Sequence, residues 1–330
     1  MKIKHVVGID VSKLTLDYHS HGSSIKPQTI SNDEKGYRSL LRWLKKEVSK
    51  DASDIMIVME HTGYYSYSLE QFLYKHKINY TKKPALDIKR SCGMIRGKSD
   101  KADAKMISRY GWMRREELKA SKPLGDSQLE LQQLMAHRDK LVADKASYES
   151  RVKELQLQLK NKLSALVLKS SKQMQKVLSV EIKQTEAAIQ QLIKQDADVQ
   201  TNYELIKTVR GIGFATAVHF IIATENFTRF NNHRKFACYC GVAPFKNSSG
   251  TSVRGKTKVS HLANRKIKSL LTMAAISAIQ HDVDLKEKYH QKVKEGKPKM
   301  SALNIIRYKL IQRIFTVIER QSPYILRKAA

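Results

Sequence analysis

Between Gly125 and Gly211 the sequence has neither glycine nor proline, so 85 consecutive residues lack the two strongest helix breakers. Long helices are the expected filling. Cysteine is scarce as well: Cys92, Cys238 and Cys240 make an odd count with no C-x-x-C pair. That argues against a disulfide framework and against a zinc ribbon, and it suits a reducing cytoplasm. No apolar run approaches the length of a membrane span. The opening "MKIKHVVGID" has a basic start, but its apolar run is too short for a signal peptide and stops at Asp10. Carboxylates are missing altogether from Phe227 through His281.

What is present is positive charge. The 330 residues include 61 Lys and Arg against 31 Asp and Glu, a formal net charge of +30, with 41% hydrophobic residues to fill real cores. From residue 226 onward 22 Lys and Arg face only five Asp and Glu. Such a balance is the electrostatic footprint of a nucleic-acid partner, because cations that neutralise phosphates release condensed counterions. A merely solvated basic surface is the plain alternative.

Three regions follow along the chain. Residues 1–115 alternate strand and helix signals: "HVVGID", "LTLDYHS" and "IKPQTIS" as strands, "DEKGYRSLLRWLKKEV" as a helix with Leu40, Leu41 and Leu44 on one face, then "DIMIVME", "YSLEQFLYKHK" and "INYTKKP". Residues 116–200 read as coiled-coil or linker helices. Leu134, Leu141, Tyr148 and Leu155 recur every seven residues, with Val152 and Leu159 beside them and Arg138 and Lys145 also on the seam. One unbroken helix of that length would exceed about 100 Å, so a bend is expected at residues 169–172, "KSSK", with a return through Leu178, Ile182, Ile189 and Ile193. A helical spacer and a dimerisation seam both fit. Residues 201–330 form a basic, mainly helical carboxyl-terminal region.

Within this basic chain, "KSDKADAK" sets Asp100 and Asp103 three residues apart on one helical face. Taken alone, such a pair is usually solvated surface. Asp10 and Glu60, however, each close an apolar strand, where an unpaired charge is costly. Four carboxylates in a chain that handles phosphodiesters suit magnesium, a hard cation that takes oxygen ligands and keeps positions open for water and phosphate. Three strands, helix, strand, helix, strand, helix is also the order of an α/β ribonuclease H-like, RuvC-like domain, in which those two strands are neighbours.

"GIDVSK", "MEHTGYY" and "KSDKADAKMI" resemble, in order and spacing, the successive motifs of the DEDD transposases of bacterial insertion sequences, the group of the Piv invertase and the insertion sequence one-ten enzymes. The resemblance implies that Asp10, Glu60, Asp100 and Asp103 are catalytic and bind Mg2+. It continues into "GVAPFKNSSGTSVRGK", where the serine before glycine is the family's nucleophile; here that is Ser249, with Gly250 after it. Attack by that hydroxyl would store the cut bond as a phosphoserine ester, and Arg254, Lys256 and Lys258 would stabilise charge developing on phosphorus. No carboxylate lies near Ser249 in sequence, so the resemblance implies a composite site. Read without it, Ser248, Ser249 and Ser252 are ordinary loop residues.

Two departures stand out in "SHLANRK". His261 and Ala263 replace a lysine and a glycine common in the family, which bears on phosphate contacts there. Arg265, just beyond, is a further candidate phosphate contact. Upstream, "IKTVRGIGFATAVHFI" looks like a helix-hairpin-helix whose Gly211 and Gly213 would present amides to a phosphate, although a tight turn accounts for it nearly as well.

The resemblance further implies a bacterial cytoplasmic, nucleoid-associated recombinase. It would act on target and donor DNA, guided by a structured bridge RNA, as a homo-oligomer between dimer and tetramer. Two other readings remain: a RuvC-like, metal-dependent junction nuclease with water as nucleophile, and a non-catalytic RNA-binding architectural protein in which the acids are surface residues.

Overall fold

Residues 5–11 and 55–60 are nearly continuous apolar runs, the pattern of strands covered on both faces. In a computed structural model of the chain they lie side by side. The structure describes residues 3–61, 63–91, 99–159, 164–230, 232–249, 253–259 and 263–325, and at 246–249 and 253–258 it describes the backbone alone. The chain divides into two compact units, Met1–Leu124 and Gly125–Ala330.

The first unit is built on a five-stranded mixed sheet of β1 (His5–Val11), β2 (Thr15–Ser20), β3 (Gln28–Ser31), β4 (Ile55–Glu60) and β5 (Asn79–Lys83), in the order β3-β2-β1-β4-β5. The first three strands pair antiparallel, while β4 pairs parallel with both β1 and β5. Alternation then sorts side chains between two faces. Val7, Ile9, Ile57 and Met59 pack with Leu40 of α1 (Glu34–Trp43) and Leu69 and Leu73 of α2 (Tyr67–Lys75). Val6, Met56 and Val58 face the other way, onto Ile88 of α3 (Ala85–Ser91) and Ile107 and Tyr110 of α4 (Asp100–Met113). Beyond α4 the chain returns to β5, where the Ser121 amide donates to the Tyr80 carbonyl at 2.7 Å. This contact carries the first unit past residue 115 to Leu124.

In the second unit the long glycine-free stretch forms α5 (Asp126–Leu159) and α6 (Ala165–Gln195), which pack on each other. The expected bend at residues 169–172 is not there. "KSSK" lies inside α6, which begins at Ala165, and α5 has already ended at Leu159. Serine and lysine cost a helix little when its packing face is kept, and here Ser171, Leu178 and Thr185 are buried at seven-residue spacing. The heptad pattern is thus met within one chain. Arg138 of α5 bonds Glu186 of α6 at 2.7 Å, so one of the two cations on the seam is paired across it.

Leu131 and Met135 of α5 and Ile189 and Ile193 of α6 join a larger core. It takes in α7 (Ala197–Lys207), α8 (Phe214–Thr224), α9 (His233–Tyr239), α10 (Arg265–His281) and α12 (Lys299–Arg320), with α11 (Val283–Lys294) contributing Leu285. A two-stranded antiparallel hairpin, β6 (Pro244–Ser249) and β7 (Val253–Val259), interrupts the helices. Among the described residues no helix is long and apolar enough to cross a membrane. Cys238 and Cys240 are free thiols, and Cys92 lies outside the described residues.

Candidate active site

Asp10 is the penultimate residue of β1 and Glu60 the last of β4. The parallel register pairs Ile9 with Met59, which brings these two acids to the same end of neighbouring strands. By alternation both share the face of Val6 and Val58, the one covered by α4. A slip of one residue would turn them toward α1 and α2 instead.

Helix α4 meets this face without a gap, because Gly8 leaves room for it. A Cβ on Gly8 would lie 2.2 Å from the Ser108 nitrogen and 2.5 Å from the Ala104 carbonyl. Gly111 does the same from the helix side, where a Cβ would meet Val58 and Val6. His19 of β2 adds a hydrogen bond to Ser108 Oγ at 2.9 Å. The helix starts at Ser99, whose Oγ accepts from the Ala102 amide, and so Asp100 and Asp103 fall in the first turn, where the helix dipole favours negative charge.

These placements set the electrostatics. Asp10 is half-buried, and its carboxyl is pushed up to about 6, first by burial and then by the charges of Asp103, Asp100, Glu60 and Asp17. The acids that were far apart in sequence therefore feel one another. Asp17 was missed by the sequence reading. It lies directly across from Asp10 on β2, is buried, and accepts a hydrogen bond from Thr29 Oγ1. The alternation of "LTLDYHS" puts Thr15, Asp17 and His19 on the face opposite Leu16 and Tyr18, but nothing in it marks that face as covered.

Asp10, with the three carboxylates whose charges add to the effect of its burial, makes a donor set that a hard divalent cation would suit. Among the described residues, however, no three His, Cys, Asp or Glu side chains are already drawn together as a metal cage. The loop after Glu60 exposes Tyr64 and Tyr65, at 52% and 51%, and His61 is exposed as well.

In the second unit, Ser249 ends β6 opposite Val253, so the backbone around it is a β-hairpin rather than an irregular loop. Arg254 pairs with Ser248, Asn247 with Gly255 and Phe245 with Lys258, a register that shifts between Phe245 and Asn247 and sets Lys256 beside the Asn247 pairing. Gly250 and His261 lie outside the described residues, whereas Ala263 is partly buried and Arg265, the first residue of α10, is exposed.

The two glycines between α7 and α8 have different surroundings. Gly211 adopts φ +87° and lies so close to α10 that a Cβ would come within 2.5 Å of the Ala274 carbonyl. Gly213 is exposed, begins α8 without a side-chain cap, and has open space around it.

Comparison with known proteins agrees in both units. Residues 7–161 match a family model described as "Transposase", and residues 203–291 match one described as "Transposase IS116/IS110/IS902 family". The chain is 24% identical over 326 residues to the pilin gene-inverting protein of Moraxella bovis, covering 97% of this chain and 98% of that protein. The pilin gene-inverting protein of Moraxella lacunata is equally similar over the same span. An uncharacterized 43.6 kDa protein of insertion element IS110 from Streptomyces coelicolor is 25% identical over 120 residues, 36% of this chain and 29% of that one.

Proposed function

Since the chain belongs to the IS110 family of transposases and is a DNA recombinase, a family that implies dependence on a divalent metal, we propose that it cuts and rejoins DNA strands through Ser249, with Asp10, Glu60, Asp100 and Asp103 as the metal-binding acids of a ribonuclease H-like domain. The observation that carries this reading is geometric: the register of β1 and β4 brings Asp10 and Glu60 to the same end of neighbouring strands, on the face covered by the helix whose first turn holds Asp100 and Asp103. Magnesium is the proposed ion, and when bound it would neutralise charge on the reacting phosphate.

The hydroxyl of Ser249 supplies the nucleophile. Its oxygen forms an ester to phosphorus as the bond from phosphorus to a sugar oxygen breaks; the proton passes to a base, and the departing sugar oxygen is protonated in turn. Reversal with a different sugar hydroxyl rejoins the strand, so the bond energy is retained in the phosphoserine. Guidance by a bridge RNA is part of the proposal. A net charge of +30 suits a protein that holds RNA together with donor and target duplexes while base pairing selects the sequence. DNA inversion, as the Moraxella relatives are named for, is one outcome of the same cut-and-rejoin chemistry.

Ser249→Ala tests the chemistry. It should abolish a denaturant-resistant protein–DNA adduct and strand exchange together, whereas a hydrolytic nuclease using the same acids with water as nucleophile would keep cleaving. Cleavage by the variant at the parent rate would therefore select the nuclease reading.

Assembly into dimers and higher oligomers belongs to the proposal as well. Val177 and Val180 of α6 are 48% and 52% exposed, apolar surface that a second copy would cover. Val177→Lys with Val180→Lys should shift sedimentation toward the monomer, and an unchanged mass would rule out this seam.

A further inference from the structure

A cavity of about 890 Å³ opens where the β6–β7 hairpin joins the helical core, lined by the cross-strand pair Pro244 and Val259. Four cations line it, Arg265, Lys268, Lys297 and Arg307, and among the described residues no Asp or Glu does. Arg307 is the unusual one. It sits in α12 among apolar residues and is only 5% exposed. One of its guanidinium nitrogens, Nη1, donates to Asn304 Oδ1 at 3.2 Å, while its Nε has no hydrogen-bond partner among the described residues.

A guanidinium cannot shed its charge as a buried lysine can, so burying one without a counter-charge is costly unless an anion arrives. Lys268 of α10 lines the same cavity and has its own proton affinity lowered by burial and by Arg307, so two cations share a lining that holds no carboxylate among the described residues. The first turn of α12 adds to this field. Met300 and Ser301 line the cavity, and the cap residue, Pro298, offers no side-chain acceptor to the first amides of the helix.

We propose that this cavity is a receptor for the sugar-phosphate backbone of a nucleic acid, with Arg307 and Lys268 gripping one phosphate and Arg265 and Lys297 the flanking charge. A planar fork with a free N–H matches phosphate oxygens, and the space exceeds what a single carboxylate side chain would need. The receptor also reaches the chemistry proposed for Ser249. Asn304, bonded to Arg307, donates through Nδ2 to the Val242 carbonyl at 2.7 Å, two residues before the strand that ends at Ser249. A strand of nucleic acid held here anchors the foot of that hairpin. The inference rests on the reading of the chain as a nucleic-acid enzyme but requires neither the serine chemistry nor the metal.

The test uses the full-length protein and fluorescence anisotropy with two probes, a labelled DNA duplex of about 20 base pairs and a labelled single-stranded RNA, each titrated across a salt series. Arg307→Gln and Lys268→Gln should each weaken binding about tenfold and lower the salt slope by about one, the signature of a lost phosphate contact. Lys268 is partly exposed, and its variant guards against misfolding of the Arg307 variant, with thermal melting as the check on both. Loss on the DNA probe alone or on the RNA probe alone supports the receptor and identifies which strand it holds. Parent affinity and slope on both probes, in folded variants, overturn it. Recombination by the parent protein with unchanged binding in the variants would sink the receptor and leave the function standing; absent recombination with a lost slope would do the reverse.

Discussion

At Asp10, position in the fold alters the ordinary chemistry of a side chain. In an unfolded chain its carboxyl would titrate near the usual aspartate value of about 3.9, but in the folded unit burial and the carboxylates around it push it up to about 6. A raised folded value means the folded state holds the proton more tightly. The stability tied to that proton is complete at acid pH and is lost as pH rises through about 6. In metal-free buffer Asp10→Asn should therefore remove that decline between about pH 4 and pH 6 and melt at a higher temperature than the parent protein at neutral pH, while with magnesium added only the parent should cleave DNA. Equal melting temperatures at neutral pH would show that the repulsion is not felt. Asp10 and Glu60 could be picked from the sequence because each ends an apolar run. Asp17 could not, since an acid inside an alternating strand looks solvated until its face is known to carry a helix. Arg307 was hidden for the opposite reason, being one more cation among 61 Lys and Arg.

Among the elements, α6 separates what local pattern can and cannot decide. Its seven-residue spacing was visible, and it is used, but by α5 of the same chain. The turn was expected at the most polar tetrapeptide. In the structure that segment continues the helix, because tertiary packing along Ser171, Leu178 and Thr185 outweighs a weak local preference. A proline distinguishes the two placements. Ser170→Pro removes an intrahelical hydrogen bond and should cost about 3 kcal/mol in denaturant unfolding, whereas a proline at a genuine turn would be nearly neutral. The β6–β7 hairpin is the converse case. Serines, glycines and lysines with few apolar anchors read as a loop, yet backbone pairing from Pro244 to Val259 makes a hairpin of them.

At the scale of the molecule, charge makes the broadest prediction. With a net +30, binding to duplex DNA should be steep in salt, losing roughly a thousandfold between 50 and 200 mM if six or more phosphates are contacted. An affinity flat across that range would remove the electrostatic basis of the functional reading. Composition, strand and helix order, the family motifs and the choice of four candidate acids were legible in the sequence alone, because each depends on residue type and short-range spacing. The tertiary structure alone decided which face Asp10 and Glu60 occupy, that Asp17 lies across from Asp10, that "KSSK" continues α6, and that Arg307 is buried with no counter-charge among the described residues. Those outcomes depend on strand register and on helix packing against Gly8 and Gly211, contacts between residues distant in the chain that no local pattern encodes.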